Sequence, residues 1–102
     1  MNKTIFAALA AISMAVSGPA LAASKKETSC MHQAAVVAAV QQARLDRVKE
    51  RQVPAAVKAK ATWPESFNTA IPLVTPWVYE VKMRDVKKND LAAAWKEMCL
   101  AQ

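Results

Sequence analysis

Cys30, Met31 and His32 stand side by side, and a second pair, Met98 and Cys99, lies almost at the other end of the chain. These residue types bind soft metals, carry thiol chemistry or close a disulfide. His32 is the single histidine, so a nucleophile–His–acid relay has only one place to form, beside a cysteine. No Cys-x-x-Cys, Met-x-x-Met or His-x-x-x-His spacing occurs, and the acidic residues are scattered through charged helical segments. The chain is therefore read as non-enzymatic, with no cofactor. His32, Met31 and Met98 are the weak candidate ligands for a soft metal such as copper. Against that reading, adjacent helical positions point about 100° apart, so Met31 and His32 do not face one site. The two methionines read more simply as flexible core filler around a disulfide.

Compartment decides what the cysteines do. Residues 1–22, "MNKTIFAALAAISMAVSGPALA", have a lysine near the start, an apolar run from Ile5 to Val16, and small residues at Ala20 and Ala22. That is the plan of a cleaved secretory signal of bacterial type, too short for a comfortable membrane span. Cys30 follows a charged "KKETS" rather than a lipidation motif. Residues 23–102 are expected as one small helical domain, periplasmic or secreted, with no transmembrane segment after cleavage. In that setting two cysteines predict one bridge, Cys30–Cys99. It would close almost the whole exported chain into one loop, which the chain-entropy account values at about 4 kcal/mol. A domain this small has a limited core, so the staple matters.

The elements that must position these residues are mostly helical. "TSCMHQAAVVAAVQQARLDRVKERQ" predicts a helix over 28–52, capped by Thr28 or Ser29, after a frayed start at 23–27. Its buried stripe runs through Cys30, Ala34, Val37, Ala38, Gln41, Leu45 and Val48. The first half is apolar nearly all round, with Val36, Ala39 and Val40 off the stripe; the second half is charged, with Arg47–Glu50 and Asp46–Lys49 as i,i+3 pairs. "PAAVKAKAT" predicts a short helix with Pro54 at its first position, ending before Trp63-Pro64, or else a basic Ala/Lys linker. "PESFNTAI" predicts another short helix and "AIPLVTP" an extended connector. For "TPWVYEVKMRDVKK" a helix capped by Thr75, with Pro76 first, is favoured. The alternative, an α+β fold with one strand over 77–83, follows from period-2 alternation but lacks a second strand to pair with. Asn89 or Asp90 caps a last amphipathic helix with Leu91, Trp95 and Cys99 on one face. The predicted fold is all-α, three or four helices, first and last joined by the disulfide. Its size, export and end-to-end bridge resemble, in architecture and in no single motif, small periplasmic stress and acid-protection chaperones.

The sole glycine, Gly18, lies in the signal, so glycine-rich phosphate loops are excluded downstream. Removing 1–22 takes one lysine, leaving 13 basic and 8 acidic residues and a net charge of +5. That balance is read first as serving solubility, and it also suits an anionic envelope component or an acidic protein. Nucleic acid is not expected, because the basic residues are dispersed and no aromatics alternate with them. Trp63, Trp77 and Trp95 supply bulk to an alanine-rich core. The candidate partner-binding residues are Trp77 and Tyr79 of "PWVY", with a basic stripe, Arg44, Arg47 and Arg51, on the first helix. The expectation is an exported, non-enzymatic binding protein for a protein or envelope partner, chaperone-, inhibitor- or immunity-like. The alternatives are a soft-metal carrier or a basic protein associated with the envelope surface.

Overall fold

The computed structural model describes residues 25–102, and the expected signal sequence lies outside the described residues. The chain is all-α, and among the described residues there is no strand. The first helix, α1, occupies 25–45. A 3-10 turn, Glu50–Gln52, runs directly into α2, Val53–Lys58. A second 3-10 segment, Glu65–Thr69, leads into α3, Ala70–Glu80. Two further helices, α4 (Met83–Lys88) and α5 (Leu91–Leu100), follow. A disulfide joins Cys30 to Cys99, with Cα atoms 5.7 Å apart, and so links α1 to α5. No helix among the described residues is long and apolar enough to cross a membrane.

The core is built of small branched side chains. Val36, Val37 and Val40 of α1, Val53 and Val57 of α2, Ile71, Val74 and Val78 of α3, and Val86 of α4 are all fully buried in one cluster. Alanines on α1 let the helices approach closely enough for valines to fill the space between them. Trp63 is buried at the turn before the second 3-10 segment, where its indole N–H donates to Asn68 Oδ1 at 2.8 Å. Trp77 and Trp95 pack on each other with ring centroids 5.6 Å apart.

Several boundaries differ from the sequence expectation, each for a physical reason. Thr28 and Ser29 lie inside α1 rather than capping it, and 25–27 are helical. At the other end α1 stops at Leu45, seven residues early. Arg47 takes a left-handed conformation, φ 64°. Its N–H donates to the Arg44 carbonyl (3.0 Å), and the Val48 N–H reaches back to the Ala43 carbonyl (2.9 Å). This pair of bonds is a Schellman closure, which uses up the last carbonyls of the helix and ends it. The turn also removes the expected i,i+3 charge pairs; Arg84–Asp85, at 3.8 Å and well exposed, is the ion pair found among the described residues. Because the buried arc is set by Val36, Val40 and Ala43 as well as Val37, Ala38 falls outside it and is exposed.

The stretch expected as an extended connector, "AIPLVTP", is the first two turns of α3. Pro72 sits in the first turn, where an N–H would have no intrahelical role. Pro76, expected at the first helical position, is inside the helix instead. Its ring lacks the N–H that would bond the Pro72 carbonyl. Both prolines are exposed. Thr75 is no cap: it is buried, and its hydroxyl donates to the Ile71 carbonyl at 2.5 Å. Ile71, Val74, Thr75 and Val78 form the i, i+3, i+4, i+7 inward face that the alternating pattern of 77–83 had obscured. Asp90 caps α5 as expected, accepting from the Ala93 N–H at 3.0 Å.

Candidate functional site

One side of α1 carries Cys30, Gln33, Val37, Gln41 and Arg44 at helical spacing. Each polar member of this row ties down another element. Gln41 does the most: its amide N–H2 donates to the carbonyls of Val86 (2.7 Å) and Asn89 (2.8 Å). Its amide oxygen accepts from the Leu91 N–H at 3.2 Å. The α4 C-terminus and the α5 N-terminus each leave backbone groups without intrahelical partners, and a single glutamine satisfies both. Gln33 acts one step nearer the disulfide. Its oxygen accepts from the Trp95 indole at 3.1 Å and lies 3.8 Å from Cys99 Sγ. The oxidised sulfur carries no proton, so the second approach is a contact, not a hydrogen bond. Among the described residues no buried side-chain N or O lacks a partner.

The residues expected to bind a partner are distributed differently from the sequence expectation. Arg44, half-buried, donates to the Val78 carbonyl at 2.6 Å and lies 5.4 Å from the centre of the Tyr79 ring. It thus sets a cation at the negative C-terminal end of α3, where the helix dipole favours one. Tyr79 donates its hydroxyl to the Val48 carbonyl at 2.5 Å. Burial raises the phenol pKa above its ordinary value; Arg44 opposes that shift and Glu50 adds to it. Trp77 is half-buried against Trp95. Arg47 and Arg51 are exposed, but one sits in the left-handed turn and the other in the 3-10 segment. The three arginines therefore share no helix face, because α1 ends before two of them.

The candidate metal ligands Met31, His32 and Met98 lie near the bridged ends of α1 and α5. Met31 and Met98 are about half exposed, 50% and 49%, rather than filling the core as expected. His32 turns to the second 3-10 segment, with its ring 5.0 Å from that of Phe67. Among the described residues no group of three or more His, Cys, Asp or Glu side chains is placed to hold a metal ion.

Two adjoining depressions are the surface features that sequence reasoning missed. One, about 310 Å³, is an apolar trough whose lining includes Phe67, Leu73, Val74, Gln33 and Trp95. Leu73 stands on its rim at 74% exposure, the most exposed large apolar side chain described. The other, about 190 Å³, is lined by Gln33, Trp95, Met98, Cys99 and Gln102. The two share Gln33 and Trp95 and so meet there. Leu73 was hidden in sequence because it lies between prolines in a stretch read as a connector. A separate feature is the cationic surface of α4, where Arg84, Lys87 and Lys88, with Lys82 just before the helix, are all exposed. No family model, curated protein or solved structure was found that matches this chain.

Proposed function

We propose that this is an exported, non-enzymatic binding protein, chaperone-, inhibitor- or immunity-like, that receives a protein partner in the trough beside Leu73. The observation that carries the reading is the exposure of Leu73 over a concave apolar lining. Concave apolar surfaces with aromatic walls are where binding energy concentrates. The polar groups of the trough support it too: Gln33 is fixed by Trp95, so the wall is already formed before a partner arrives. Trp77, Tyr79 and Arg44 then serve as the framework behind the surface rather than as the surface itself.

A photo-crosslinking amino acid at position 73, used on periplasmic extract without reductant, should label one protein in stoichiometric yield. Leu73→Asp should cut capture of that protein at least tenfold while leaving the helical circular-dichroism spectrum unchanged. Recovery of lipid alone, or capture indifferent to Leu73→Asp, removes the proposal. A second reading, association with an anionic envelope surface, is favoured by the exposed cations of α4. Sedimentation with anionic vesicles should then fall steeply with added salt, and Lys87→Gln/Lys88→Gln should weaken it.

A further inference from the structure

The disulfide is asymmetric in its exposure. Cys30 is 1% exposed, sealed within the packing of α1, whereas Cys99 is half-buried and forms part of a pocket wall. That pocket, about 190 Å³, is lined by Cys99 and not by Cys30. Thiol–disulfide exchange proceeds by in-line attack of a thiolate on one sulfur, with the other sulfur leaving. Access therefore decides which sulfur is attacked, and of the two half-cystines Cys99 lines this pocket and Cys30 does not.

We propose that Cys99 Sγ is a thiol–disulfide exchange site, entered through the pocket bounded by Trp95, Met98 and Gln102, for an external dithiol reductant. The first thiolate of the reductant bonds to Cys99 Sγ. The Sγ–Sγ bond breaks, and its electron pair leaves on Cys30 Sγ, which takes a proton from water. The second thiolate of the reductant then attacks its own sulfur in the mixed disulfide and releases Cys99 as a thiolate. The reductant is oxidised to a disulfide, and the protein is reduced by two electrons to a Cys30/Cys99 dithiol.

The structure also gives the exchange a consequence. In the second half of α5, Lys96, Glu97, Met98 and Leu100 are exposed, and Cys99 is the anchored member. Beyond the bridge, this end is held by the Trp95–Gln33 bond, the Trp95–Trp77 contact and a bond from the Lys26 ammonium to the Gln102 carbonyl. Gln41 of α1 holds the other end of α5 regardless of redox state, and Asp90 caps it. Reduction thus removes the covalent tie and leaves the C-terminal half of α5 held by the noncovalent contacts of Trp95 and Lys26. Trp95, a wall of the neighbouring trough, lies one turn before Cys99 on the same helix. The exchange site stands whether or not that trough binds a protein.

Sulfite is the probe, because one attack leaves a stable S-sulfonate on the sulfur attacked and a thiol on the other. The folded, oxidised chain is treated with sulfite, quenched in acid, alkylated and mapped by peptide mass. The S-sulfonate should lie on Cys99 and the alkyl group on Cys30, at least tenfold over the reverse. A ratio near one, an excess on Cys30, or no cleavage under conditions that cleave the urea-unfolded chain overturns the proposal. Met98→Trp narrows the pocket from an exposed position. It should slow sulfitolysis of the folded chain at least fivefold while leaving the rate in urea unchanged. An unchanged rate in the folded chain means that the pocket is not the route.

Discussion

α3 and α5 are of nearly equal length, and they are held to the molecule by opposite means. α3 buries Ile71, Val74, Thr75 and Val78, so its attachment is spread along the helix. α5 buries Leu91 alone, with Ala92 and Trp95 partly buried against the core, and leans on point ties: the bridge at Cys99, the Gln33–Trp95 bond and the Gln41–Leu91 bond at its start. Distributed apolar contact forms and melts as a unit. Point ties can be cut one at a time, and each cut releases a local segment. The difference places the adaptable part of the molecule at α5, beside both surface depressions.

Cutting the bridge gives the largest effect. Cys30→Ser/Cys99→Ser should lose about 4 kcal/mol of stability by the loop-closure account. Hydrogen exchange should show amides of the second half of α5 exposed at rates well above those of α3. Equal protection in the two helices would erase the contrast between them. Ile71→Ala should cost about 3 kcal/mol, the usual range for deleting a fully buried aliphatic side chain. Here urea melts should show the loss shared by all helices, since a core cavity weakens the cooperative unit rather than one end. Gln41→Ala should cost about 2 kcal/mol, from three hydrogen bonds each contributing about 0.5–1.5 kcal/mol. Its exchange signature should lie at the α4–α5 junction, where the released backbone groups are.

How far the sequence reveals this contrast depends on the kind of signal. The bridge and the Asp90 cap are legible because each rests on residue identity at one position, read against compartment or helix chemistry. α5 is legible from Leu91, Trp95 and Cys99 at four-residue spacing. α3 is not, because three prolines in 64–76 mask its 71/74/75/78 pattern; proline is a helix breaker only where its missing N–H matters, and Pro72 escapes by position. Gln33 and Gln41 are the least legible. Gln41 falls on the predicted buried stripe of α1, but its use as a backbone clamp depends on termini of other helices that only the tertiary fold brings near. The same limit applies to Arg44, which looks like part of a charged face until the α3 C-terminus is placed beside it.

Tyr79 sharpens the comparison on the α3 side. Tyr79→Phe removes the hydrogen bond to the Val48 carbonyl and should cost about 1 kcal/mol near neutral pH. Because folding raises the phenol pKa, the folded state holds its proton more tightly. That contribution is present in full below the unfolded value, near pH 10, and is lost as pH rises through the raised folded value. The stability difference between the native chain and Tyr79→Phe should therefore shrink above pH 10. A difference that stays constant into alkali would mean that the phenol is not held by the fold.

The smallest effect is expected where α1 gives way to the turn, and it has the opposite sign. Arg47 holds φ 64°, a region costing an L-residue with a Cβ about 1–2 kcal/mol. Glycine enters that region freely but has about 0.5–1 kcal/mol more chain entropy to lose on folding. The Arg47 side chain is exposed and the turn's bonds come from backbone groups, so little else changes on substitution. Arg47→Gly should thus stabilise the protein by about 0.5 kcal/mol, read as a rise in the urea midpoint with an unchanged slope. The gain should appear equally in oxidised chain and in Cys30→Ser/Cys99→Ser, because the turn belongs to the cooperative core and not to the clamp. A gain confined to the oxidised form would mean that the α1 end and the bridged end are coupled. The division between a distributed core and a tethered α5 would then fail at the helix that carries both.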